Sequence, residues 1–125
     1  MENSEFFLTD GFSLVASDTS EYFGDCYDIY KKRNTYIRVA KDKSAIFVDV
    51  SNDGENWYDL DLIKVLLHKE TNLIHTSTIE EHLDFLKKQT DNIVELFDDE
   101  NYSTTKIKLE HLANERAKRM FPLFL

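Results

Sequence analysis

Apolar residues along this 125-residue chain recur at two periods, and the period changes once. Over residues 12 to 51, aromatic and β-branched residues return at every second position, the pattern of strands with one buried face. Strands are predicted near 12–17, 24–31, 35–41 and 45–51. The polar connections Lys32-Arg33-Asn34 and Lys41-Asp42-Lys43-Ser44 are turn-sized, so the last three strands should form an antiparallel meander. Alternation places Tyr27, Ile29, Ile37, Val39, Ile46, Val48 and Val50 on a core face. It places Asp28, Tyr30, Tyr36, Arg38, Phe47 and Asp49 on the opposite one.

After the turn cluster Asn52-Asp53-Gly54 the apolar spacing becomes three and four, and three helices follow. The first, 57–69, carries Tyr58, Leu62, Ile63, Leu66 and Leu67 on one side, widened by Leu60 and Val65, and should be the enclosed central helix. The second opens on Ser77-Thr78-Ile79-Glu80-Glu81, where Ser77 with Glu80 or Thr78 with Glu81 can form a capping box, and runs to Phe97. The third, 103–119, starts at Ser103 or Thr104 and presents Ile107, Leu109, Leu112, Ala113 and Ala117. Arg116, Lys118 and Arg119 lie in its last turn, where cations favour the helix dipole. The apolar end Met120-Phe121-Pro122-Leu123-Phe124-Leu125 is expected to dock on the core. The expectation is one domain, 1–125, of α+β class: an N-terminal antiparallel β-meander of three to four strands packed against three C-terminal helices.

Charge adds what the periodicity lacks. The first thirty residues hold seven carboxylates, Glu2, Glu5, Asp10, Asp18, Glu21, Asp25 and Asp28, and no Lys or Arg. Residues 89–105 repeat the pattern with Asp91, Glu95, Asp98, Asp99 and Glu100. Residues 31–88 balance at ten against ten, so these two stretches carry the excess behind the net charge of -9. Such a field attracts cationic partners and repels nucleic acid and anionic membrane. No window is long and apolar enough to span a membrane, and the N-terminus lacks a signal-peptide pattern, so a cytoplasmic protein is expected.

Candidate chemistry is sparse. Cys26 is the single cysteine, and neighbouring Asp25 and Asp28 would disfavour its thiolate. His68, His75, His82 and His111 show no HxH or HExxH spacing, and no GxSxG elbow, P-loop or GxGxxG is present. No catalytic residue, metal or cofactor is expected, and the chain reads as a non-enzyme. The segments around Asp18, Glu21, Tyr22, Phe23, Asp25 and Asp28, and around Glu95, Asp98, Asp99, Glu100 and Tyr102, interleave carboxylates with rings. Carboxylates accept bidentate hydrogen bonds from Arg, and rings give contact area at small entropic cost, which suits gripping a cationic protein. If both segments share a face they form one docking surface; on opposite sides their acidity serves solubility.

The run from Asp18 to Tyr30, and Ile46-Phe47-Val48-Asp49-Val50 leading to Trp57-Tyr58-Asp59-Leu60, resemble the immunity proteins of bacterial toxin systems in a small, acidic α+β profile. The resemblance implies a monomer or weak dimer that neutralises a cognate toxin, commonly a basic nuclease, and it carries over no functional residues. Two alternatives stand beside it. One is a structural or adaptor subunit using the C-terminus and a Tyr30, Tyr36, Phe47 face; the other is a small enzyme built from Asp28, Arg38, Asp49 and a histidine.

Overall fold

The structure, a computed structural model, describes residues 4–19, 26–42, 45–68 and 78–120. In chain order these form α1 (Ser4–Thr9), β1 (Ser13–Thr19), β2 (Cys26–Lys32), β3 (Thr35–Asp42), β4 (Ala45–Ser51), β5 (Tyr58–Asp59), α2 (Leu60–His68), α3 (Ile79–Leu96) and α4 (Tyr102–Met120). The strands form one antiparallel sheet in sequential order, β1-β2-β3-β4-β5. The α+β class and the meander agree with the periodicity. No described helix is long and apolar enough to cross a membrane.

Two elements were not legible in the apolar pattern. Helix α1 is a short turn of chain that carries Phe7, fully buried and stacked on Tyr30 with ring centroids 4.2 Å apart. Strand β5 occupies Tyr58–Asp59, which the spacing assigned to the first long helix, and pairs with Val50 and Asp49 of β4. The helix therefore begins only at Leu60. Asp59 holds that start by accepting the Leu62 N–H at 3.1 Å, as a side chain at the N-cap does.

The β2 faces are the reverse of the sequence expectation. Lys32 pairs with Thr35, so the connection is the two-residue turn Arg33-Asn34, not a three-residue one. Because side chains alternate at period two, that single residue moves the strand's whole set to the other side. Asp28 and Tyr30 lie opposite Val39 and Ile37 and are buried, whereas Tyr27 and Ile29 pair with Ala40 and Arg38 on the outer face. The β3 and β4 assignments hold: Ile37, Val39, Val48 and Val50 are buried in the core.

The helices cover that core face. In α2, Leu60, Leu62, Ile63 and Val65 are buried, and the helix packs on α3, α4, β4 and β5, so it is the central helix expected. Thr78 and Glu81 complete the capping box at the start of α3, their side chains each accepting the other's backbone N–H. Helix α4 begins one residue before the expected cap, at Tyr102. Its inward contacts are Thr105 and Leu109, with Leu112 and Ala113 packed against the core as predicted, while Ile107 is 69% exposed, contrary to its predicted place in the buried stripe. The expected docking of 121–125 lies outside the described residues.

Candidate functional site

Asp18, the exposed described residue of the first acidic segment, lies away from the second segment. Asp18 lies at the β1 end where the row Asp18, Tyr27, Ala40, Phe47 crosses the sheet. The second segment lies beyond the other end of β4, past Ser51. Phe47 and Ser51 are four positions apart on one strand, about 13 Å, and β1 and β4 are three strand spacings apart, about 14 Å. Asp18 and Ser51 are therefore separated by about 20 Å, roughly twice the screening length at physiological salt. Of the first segment's described residues, exposed Asp18 therefore stands apart from the second segment.

Of the first segment, Glu21, Tyr22, Phe23 and Asp25 lie outside the described residues, and Asp18 is exposed. Asp28 is 6% exposed, accepts hydrogen bonds from the Ser17 and Tyr30 hydroxyls, and belongs to the core face. It is therefore withdrawn as a docking residue. Burial, followed by the Asp28 charge, pushes the Tyr30 phenol up to about 12. The same inversion dismantles the proposed enzyme constellation, because Asp28 faces the core while Arg38 and Asp49 pair at 3.1 Å on the outer face.

The second segment gains neighbours that the sequence count had placed in a neutral region. The Asn52 side-chain amide donates to the Phe97 carbonyl at 2.7 Å, which fastens the loop after β4 to the end of α3. Asp53 and Glu55 of that loop thereby join Asp98, Asp99 and Glu100 at one end of the sheet. Glu95 stands exposed on the last turn of α3, its carbonyl accepting the Asn101 amide at 3.0 Å. Thr105 is 2% exposed and donates to the Leu96 carbonyl at 2.8 Å, so the α3–α4 turn is held from both sides.

The loop is equally well ordered by its own side chains. Ser51 donates to Asp53 at 2.9 Å and accepts the Gly54 N–H at 2.9 Å. Asp53 accepts the Asn56 and Glu55 N–H groups, each at 2.8 Å, and these bonds hold its carboxyl well below the usual range. It is a carboxylate that stays charged. Gly54 has φ +78°, a left-handed conformation that L side chains rarely adopt, and it lies against the Tyr36 ring. Trp57 then turns under Arg38, whose guanidinium sits 4.3 Å from the ring centre.

Tyr102 borders this end. Its ring packs 5.7 Å from that of Phe97, and burial raises its phenol. Tyr58 is raised to about 12, first by burial and then by the neighbouring Tyr102 and Glu110. Part of the acidity has a local use, since Asp98, Asp99 and Glu100 precede α4, where negative charge favours the helix dipole by roughly 0.3 to 1 kcal/mol each. The end is not wholly anionic either, because Lys31 lies 5.0 Å over the Tyr36 ring.

Elsewhere, His82 is buried at 4% exposure and its Nδ1 has no hydrogen-bond partner, while His111 is exposed on α4. Among the described residues no group of three or more His, Cys, Asp or Glu is gathered to hold a metal ion. No protein-family model, curated protein or solved structure matches the chain.

Proposed function

We propose that this chain is a binding protein that neutralises a cationic protein, in the manner of an immunity protein against a bacterial toxin, and that its docking surface is the acidic end built from the 51–56 loop and the α3–α4 turn. The observation that carries this reading in place of a face shared by the two segments is the Asn52 to Phe97 hydrogen bond, which joins Asp53 and Glu55 to Asp98, Asp99 and Glu100. The carboxylates stand on hydrogen-bonded turns, so little ordering cost attends binding. Their joint field steers a basic partner inward, whereas each exposed ion pair adds only about 0.2 to 1 kcal/mol. Tyr102 and Tyr36 supply ring area beside the charges, as protein interfaces require for affinity. A toxin that is a nuclease fits this chemistry, because a surface that grips phosphates also grips carboxylates.

Coexpression with the product of the adjacent gene tests the reading. A stable complex and relief of that protein's toxicity are expected; absence of both would overturn it. A second reading, an adaptor docking through the outer sheet face, draws on Phe47, 50% exposed beside the Arg38, Asp49 and Trp57 group. Tyr30 takes no part in it, since that ring is in the core.

A further inference from the structure

Strand β1 is an edge of the sheet, hydrogen-bonded on one side to β2. Proteins blunt such edges with lysines, prolines, bulges or covering elements, because an open row of N–H and C=O groups invites another strand. Strand β1 contains neither Lys nor Pro, and its one irregularity is the bulge between Leu14 and Ala16. Of the five large hydrophobic residues exposed among the described residues, three belong to α1 and β1: Leu8 at 55%, Leu14 at 49% and Val15 at 50%. The unit is also acidic, with Glu5, Asp10 and Asp18 and no Lys or Arg in residues 4–19.

We propose that β1 is an acceptor edge, to which an extended segment of a cationic protein adds as a sixth strand. Its backbone pairs with β1, its apolar side chains meet Leu14 and Val15, and its Lys or Arg side chains gather toward Asp18. The direction follows from the charges. Lys31 pairs with Ser13, and Lys32 donates to the Asp10 carbonyl at 3.0 Å, so cations stand on the neighbouring strand at the start of β1, whereas Asp18 pairs with uncharged Tyr27. A second copy of this chain is a poor occupant, since each copy carries a net charge of -9 and the bulge twists the edge away from flat self-pairing. Strand addition of this kind draws affinity from main-chain hydrogen bonds and specificity from alternate side chains. The inference rests on the reading of the chain as a binder of a cationic protein and gives that partner a second, backbone-mediated contact.

The test uses the full chain and a short synthetic peptide alternating Lys and Val, with a version N-methylated at every second residue as the control. Binding should slow amide exchange in residues 13–19, and N-methylation should weaken it by at least about tenfold, the loss of roughly one to two net hydrogen bonds. The Asp18→Lys variant should also bind the peptide more weakly, while E80K/D84K on the exposed side of α3 should leave the protection of β1 unchanged. Equal binding of both peptides, protection elsewhere than β1, or no binding would overturn strand addition. A free chain already dimeric by light scattering, with β1 amides protected, would do so in favour of a second copy. Failure at β1 leaves the acidic end untouched, because that reading is tested separately by its own charge reversal.

Discussion

His82 sets a pH requirement on how α3 packs. Burial holds its imidazole below the ordinary value of 6.5; Asp61, Asp59 and Glu81 oppose that shift and Lys64 reinforces it. The histidine is therefore kept neutral in the folded protein, whereas in the unfolded chain it takes up a proton near its ordinary value. Stability from this group is present above pH 6.5 and is lost as pH falls below it. Chemical denaturation between pH 8 and 5 should show that decline, and His82→Leu should flatten it; a variant with the wild-type slope would mean that His82 is not responsible. Asp59 bears two tasks, capping α2 and pairing with Arg116 at 2.5 Å. Asp59→Ala should cost about 1 to 2 kcal/mol, mainly through the lost cap. Arg33 has φ 54° in the β2–β3 turn, and Arg33→Gly should raise the melting temperature by relieving about 1 kcal/mol of left-handed strain. An unchanged or lower melting temperature would show that the turn tolerates the side chain without strain.

The elements depend on a few connections more than on their own propensities. Asn52→Ala should destabilise the chain by about 1 to 2 kcal/mol, because it leaves the Phe97 carbonyl unsatisfied, and amide exchange should accelerate in the 51–56 loop and the α3–α4 turn together. Acceleration in only one would mean that the two do not act as a unit. Strands β2 to β4 and helices α2 and α3 were legible because each carries apolar residues at a regular period and buries one face. The capping box was legible because Thr78 and Glu81 have the required spacing. The β2 faces were not, since a two-residue turn and a three-residue turn look alike in Lys32-Arg33-Asn34, yet they send Asp28 to opposite sides. Strand β5 was hidden because Tyr58 and Leu60 fit the helical stripe as well as they fit a strand leading into it. Asp53 and Glu55 could not be recognised as part of the site, because only a contact across 45 positions, from Asn52 to Phe97, brings them to the α3–α4 turn.

At the scale of the molecule, exposed Asp18 and the acidic end formed by the 51–56 loop and the α3–α4 turn lie apart and differ in chemistry. The Asp18 end adjoins β1, an edge strand among the described residues, with exposed Leu14 and Val15; the other end presents carboxylates on fixed turns beside aromatic rings. About 20 Å between them exceeds the screening length of about 8 Å in physiological salt, so a partner arriving at one end is steered by that end alone. Position, not total charge, should therefore govern encounter. The direct measurement is the association rate with the proposed cationic partner, followed against salt, for three proteins: wild type, D98K/D99K/E100K, and the charge-matched control E80K/D84K/D91K on the exposed side of α3. At physiological salt, where the screening length is about 8 Å, the first triple variant should associate several-fold more slowly and show a weaker salt dependence, while the control stays close to wild type. Equal slowing in both variants, or in neither, would contradict docking at the α3–α4 end.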